Sequence, residues 1–172
     1  MKSTKGKPTS FNEKMKKVIT NVNELSQMNF VVGVNQHLPQ KSLSDKEKEV
    51  IAIANIVNYG TDRIPTRDFH GLAVRKINGG YVKKFKAIMG QVTIGGQPNI
   101  VKKQLDQASR EIREWLTMHY KNAITEGTYK PLAPSTIRGR VARGNTSTKP
   151  LVDTGRMLKA VGSRRVKDLK NV

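Results

Sequence analysis

The sequence predicts an α+β fold in which a small sheet packs with a long central helix and several shorter helices, and three observations carry that expectation. Between Asn99 and Glu126 there is neither Gly nor Pro, and Val101, Leu105, Ala108, Ile112, Trp115, His119 and Ala123 recur at steps of three and four, the period of one helix face. The run NFVVGV, Asn29 to Val34, is short, β-branched and aromatic, as a buried strand is. A chain of 172 residues with 36% hydrophobic content suits one domain around one core.

The elements follow in order. Residues 1–10 are rich in Lys, Gly, Ser, Thr and Pro and read as a mobile basic arm, too polar to bury a face. Ser10 with Glu13 has capping-box spacing, and Phe11, Met15, Val18, Ile19, Val22 and Leu25 then predict an amphipathic helix over 11–26. The strand comes next. Ser44 and Glu47 repeat the capping-box spacing, and Val50, Ile51, Ile53, Ala54 and Val57 predict a helix that stops at Asn58-Tyr59-Gly60. Pro65 suits the first turn of a further helix, expected to run to about Ile77. Asn78-Gly79-Gly80 reads as a breaker, and 81–90 is open between a second helical piece and a strand.

After the long helix, Gly127 opens a different texture, basic and punctuated by proline. APSTIRGRVA predicts a short helix from Pro134, with Ser135 or Thr136 at its start. RGNTSTK reads as an exposed basic loop. DTGRMLKAV predicts a last helix capped by Asp153 or Thr154, with Gly155 letting the backbone turn tightly. The expected organisation is therefore an arm at 1–10, one domain over 11–165 and a basic C-terminal tail at 166–172.

Charge is the loudest compositional signal: 32 Lys and Arg against 13 Asp and Glu give +19. Residues 130–172 hold eleven of the basic and two of the acidic groups, so the C-terminal quarter is the expected polyanion- or partner-facing part. Its candidates are Arg138, Arg140, Arg143, Lys149, Arg164 and Arg165. No run is apolar enough for a membrane span, and the lysine-bearing start lacks the apolar core of a secretory signal. Zero cysteines exclude a disulfide framework and thiolate metal sites. His37, His70 and His119 have no ligand spacing, so neither metal nor other cofactor is expected.

The one motif that resembles an active site is Asp153-Thr154-Gly155, as in aspartic proteases. That chemistry needs two carboxylates sharing a proton, hence two copies of the motif in a β-rich body. Here one copy stands near the end of a largely helical chain, followed by Arg156 where that family has a small residue. No phosphate-binding glycine fingerprint or nucleophile elbow is present. A binding or structural protein is favoured over an enzyme. Asp153, Thr154 and Gly155, with Pro65, Arg67 and Pro150, then read as structural joints.

Four phrases taken in order carry a resemblance: VVGV; IAIANIVNYGTDRIPTRDF, a helix ending in aromatic-Gly followed by Ile-Pro-x-Arg and Phe; ITEGTYKPLAPSTIRGR; and TKPLVDTGRMLKAV. Together, across about residues 29–165, they resemble the head-to-tail joining, tail-completion and virion morphogenesis proteins of tailed bacteriophages. Asp68 stands where that group usually has Pro. The resemblance implies a non-enzymatic structural component of the neck or head-proximal tail end, a ring of identical subunits between connector and tail tube. Its implied partners are portal or adaptor and tail-tube proteins, with non-specific contact to packaged DNA and no membrane. Its implied location is the virion, assembled in the bacterial cytoplasm. The alternative from another class is a small basic nucleic-acid-binding protein acting outside a virion.

Overall fold

A computed structural model describes residues 11–92 and 96–166, apart from the Gln40 side chain. The expected arm at 1–10, the expected Ser10 cap, and residues 167–172 of the expected tail lie outside the described residues, while Val166, expected in the tail, is the last residue of a strand paired with Asn29. In chain order the elements are α1 (Phe11–Ser26), β1 (Asn29–Val34), a 3-10 turn (Gln40–Ser42), α2 (Asp45–Tyr59), α3 (Phe69–Met89), α4 (Pro98–Glu126), α5 (Pro134–Ala142), α6 (Arg156–Ala160) and β2 (Val161–Val166). This is an α+β fold with a long central helix.

The sheet joins the strand that follows α1 to the strand that ends the described residues. β1 and β2 pair antiparallel, from Asn29 opposite Val166 to Val34 opposite Val161. The pair lies on α4, where two hydrogen bonds of one side chain fix the seating. Ser163 donates its hydroxyl to the Arg113 carbonyl at 2.8 Å and, with its proton thus used, accepts from Thr117 Oγ1 at 2.9 Å.

α3 and α4 run antiparallel, as helices joined by a short link do. Phe69 meets Tyr120 edge-on at one end, and Tyr81 packs with Trp115 further along. Two cores form along α4. Val101, Leu105, Ile112 and Leu116 pack with Met28, Ile77 and Ile88, while Tyr120, Ala123 and Ile124 pack with Val34, Val50, Phe69 and Leu151. The buried stripe shifts round the helix between the two: Leu116 and Tyr120 are buried, whereas Trp115 and His119 are half-buried at its border, in edge-to-face contact at 4.3 Å.

The expected break at Asn78-Gly79-Gly80 does not occur. α3 continues unbroken to Met89, so 81–89 is helix and Gly90 is its C-cap. A glycine inside a helix costs about 1 kcal/mol relative to alanine, which the packing of a long helix face outweighs. Gly80 also has a packing role: a Cβ there would stand 3.1 Å from Trp115 Cζ2, so its bareness lets the two helices approach.

Pro65 is likewise not in a first helical turn. α2 ends at Gly60, whose φ of +79° suits glycine, and Ser44 gives both its N–H and its hydroxyl to the Glu47 carboxylate at 2.7 Å at the other end, completing the expected box. Residues 61–67 then run back along the end of α2. Thr66 Oγ1 donates to the Tyr59 carbonyl at 2.9 Å and the Arg67 N–H to the Val57 carbonyl at 3.1 Å. The start of α3 is set by Asp68, whose carboxylate accepts from the Gly71 N–H at 2.7 Å. The residue that departs from the phage group's usual Pro is thus the cap.

Candidate functional site

Arg140 sits near the end of α5, a helix started by Pro134 at its first position. Only 4% of the residue is exposed. Its Nη1 donates to the carbonyls of Lys149 at 2.8 Å, Ser147 at 3.2 Å and Val152 at 3.2 Å, and Nη2 donates to the Pro150 carbonyl at 3.3 Å. The segment 147–153 therefore wraps a guanidinium, which supplies the donors that its backbone carbonyls lack in any helix or strand.

Asp153 closes this wrap. Its Oδ1 lies 3.5 Å from Arg140 Nε and accepts from Asn145 Nδ2 at 2.7 Å, while Oδ2 accepts from Arg143 Nη2 at 3.4 Å. Asn145 also reaches the Asp153 carbonyl, at 2.8 Å. Asp153 and Thr154 do not cap a helix. The cap position of α6 belongs to Gly155, left-handed at φ +72°, and the Asp153 carboxylate is turned instead toward three donors. The tight turn expected at Gly155 is there.

A second buried arginine adjoins. Arg67 is 6% exposed, and its Nε donates to the Lys130 carbonyl at 3.4 Å. Burial lowers its pKa, and the charge of Arg140 adds to the effect. Among the described residues Arg67 makes no ion pair. Next to Lys130, the Tyr129 ring folds back over Gly127 and donates its hydroxyl to the Ala123 carbonyl at the end of α4. Burial pushes the Tyr129 phenol up to about 12.

The six basic candidates do not form one surface. Arg140 is turned inward and is corrected from a polyanion-facing residue to the hub of the joint, because four carbonyls compete for its guanidinium. Arg138, Arg143 and Lys149 are exposed on α5 and the segment after it. Arg164 and Arg165 are half-buried neighbours on β2, so their side chains leave opposite faces of the sheet. Arg165 reaches back to the Glu24 carbonyl of α1 at 3.4 Å. Of the expected joints, Pro150, Asp153 and Arg67 meet at or beside Arg140, Gly155 makes its turn, and Pro65 lies in the irregular segment that returns along α2.

A basic groove not foreseen from the sequence opens between α4 and β2. Arg110, Arg113, Lys121 and Lys159 line it with His37, and Glu114 is its acid. Its volume is about 570 Å³. The signal was present in the chain: Arg110, Arg113, Thr117 and Lys121 recur at helical steps on α4, on the face away from the apolar stripe.

No protein-family model, curated protein or solved structure matches the chain. Among the described residues no three His, Asp or Glu side chains are grouped to hold a metal ion, and no helix is long and apolar enough to cross a membrane.

Proposed function

We propose that this chain is a structural component of a tailed-phage virion at the neck or head-proximal tail end, where identical copies form a ring between connector and tail tube. The observation that carries the reading is the convergence of the phage-like phrases on two arginines. Arg67, from the Ile-Pro-x-Arg phrase, bonds the carbonyl of Lys130 in the Gly-x-Tyr-Lys-Pro-Leu phrase. Arg140, from the end of that phrase, gathers the carbonyls of Lys149 and Pro150 in the Lys-Pro-Leu-x-Asp-Thr-Gly phrase. Segments far apart in sequence are thereby tied into one joint, and a joint is what a load-transmitting ring subunit needs. The bonds made by both Asp153 oxygens support a mechanical role for the Asp-Thr-Gly motif over a catalytic one.

The groove lined by Arg110, Arg113, Lys121 and Lys159 supports a sequence-independent contact with packaged DNA. It equally supports the second reading, a basic nucleic-acid-binding protein acting outside a virion. Electron microscopy of particles assembled without the protein tests the first reading: separate heads and tails are expected, and normally joined virions would refute it. Tight duplex binding by the free monomer at physiological salt would favour the second.

A further inference from the structure

A cavity of about 320 Å³ opens between β1, α2, the start of α3 and α4, and it shares no lining residue with the basic groove. Val32, Val34, Ile51 and Phe69 give it apolar walls, and Gln36, Asn58 and Tyr120 are among its polar groups. Although the chain carries +19, no Lys, Arg, Asp or Glu among the described residues lines this cavity. A charged guest would leave water with no counter-charge to meet it, so the cavity selects a neutral one.

Two of the polar side chains, Asn58 and Tyr120, are each only 4% exposed, and each has bonding capacity left over. Asn58 accepts from the His70 N–H through Oδ1 at 2.9 Å, which fixes the orientation of its amide. Its Nδ2 is thereby the free donor, and no described residue offers it an acceptor. Tyr120 shares one hydrogen bond with His70 Nδ1, at 2.9 Å; whichever group donates, the phenolic oxygen keeps a lone pair. Burial raises the Tyr120 pKa, so the phenol stays neutral. Gln36, on the wall beside β1, has a buried Oε1 with no donor. Buried polar atoms are nearly always satisfied, so one spare donor and two spare acceptors around a single cavity describe its guest by complement.

We infer that this cavity is a binding site for a small uncharged molecule that carries a primary carboxamide on an apolar ring. A carboxamide has one strong acceptor and two N–H donors, the inverse of the set left open by Asn58, Tyr120 and Gln36. Its carbonyl oxygen accepts from Asn58 Nδ2, its amino group donates to the Tyr120 and Gln36 oxygens, and the ring lies against Val32, Val34, Ile51 and Phe69. A carboxylate on the same ring fails twice, because it brings a charge and lacks the donors. The volume is at the small end of ligand pockets, which run from about 300 to 1,000 Å³, so the guest is one or two rings in size. Four elements wall the cavity, and an occupant in contact with all of them stabilises the folded chain by mass action. The site is independent of head-tail joining and of polyanion binding.

Benzamide is the probe, with two controls: acetophenone keeps the carbonyl and lacks the N–H donors, and benzoate brings a charge. The full-length chain with labelled methyl groups is titrated with each, and the Val32, Val34 and Ile51 methyl shifts are followed by NMR. Benzamide is expected to shift them saturably in the millimolar range that so small a ligand reaches, acetophenone to bind several-fold more weakly, and benzoate not to saturate. Asn58→Asp keeps the oxygen that accepts from His70 and replaces the free donor, so benzamide is expected to bind it at least about tenfold more weakly. Circular dichroism checks that this variant folds. Asn55→Trp changes an exposed residue of the cavity lining and is expected to block entry without disturbing the core, which keeps the test open whatever the stability of Asn58→Asp. Wall methyls that benzamide leaves unshifted would mean a cavity filled by water alone and would overturn the inference. Equal affinity for the three probes would overturn it too, as would benzamide binding that Asn58→Asp or Asn55→Trp leaves unchanged.

Discussion

Arg140 and Asp153 hold opposite ends of one closed loop, with Nε 3.5 Å from Oδ1, and the guanidinium is almost fully buried while the carboxylate keeps one edge in water. The arginine is the hub because four further acceptors surround it. The aspartate is the latch, since it also receives Asn145 and Arg143.

Removing the hub leaves four carbonyls without their guanidinium donor and the Asp153 carboxylate without its buried ion-pair partner. Arg140→Ala is therefore expected to cost about 3–5 kcal/mol, and Arg140→Lys to recover only part, because an ammonium cannot span the same set of acceptors. Arg67→Met is expected to cost less than Arg140→Met. Arg67 has one carbonyl partner and is opposed by a neighbouring positive charge, so an apolar replacement loses less there. Urea denaturation of the four variants gives the order directly.

Asp153→Ala is expected to destabilise by about 1–3 kcal/mol, through the lost ion pair with a buried guanidinium and the lost hydrogen bond from Asn145. Arg143→Ala, at the exposed end of the same network, should cost under about 1 kcal/mol. A double-mutant cycle between Asp153 and Asn145 should show coupling. Additive effects there would contradict the latch.

The two glycines inside α3 should respond differently. A Cβ at Gly79 meets nothing within 4 Å, so Gly79→Ala is expected to stabilise the protein by about 0.4–1 kcal/mol. At Gly80 the new methyl presses on Trp115, and Gly80→Ala should gain less or lose stability. Thermal melts of both variants, compared with wild type, settle the ordering.

Burial, and secondly the charge of Lys76, lower the His119 pKa from its ordinary 6.5, with Glu126 pulling the other way. The folded chain binds that proton less readily than the unfolded chain does. This contribution to stability is therefore full above about pH 6.5 and is lost as pH falls through that value to the folded pKa. His119→Gln should flatten the stability profile in that window. The Glu47 carboxyl, lowered from 4.5 by the Ser44 hydroxyl and N–H, acts in the more acidic window below.

Polyanion binding by the groove should depend on salt. Lys121→Ala and Arg110→Ala are each expected to weaken duplex DNA binding about uniformly across sequences and to lower the slope of log affinity against log salt by about 1. Filter binding over a salt series reads both. Unchanged slopes would remove the groove from the DNA-facing surface.

Much of the architecture is local and was therefore legible in the chain. Val101, Leu105, Ala108 and Ile112 at helical steps, the β-branched run at Asn29–Val34, and Ser44 with Glu47 each state their own conformation through bonds or faces made within a few residues. Where the local signal and the distant contact pointed different ways, the distant contact won. Gly79-Gly80 stayed helical because α3 packs along α4, and Asp153 gave up a cap for partners on α5 and the loop behind it. Arg140 reads in the chain as one more surface charge in a basic tail. Its burial depends on carbonyls seven to twelve residues further on being folded around it, which no periodicity announces. The same reason accounts for α1: its stripe was plain in the sequence, but only the tertiary structure decided that the stripe would face away from the core, because the body offers α1 a seat at Asn21 and Leu25 and none at Phe11 and Ile19.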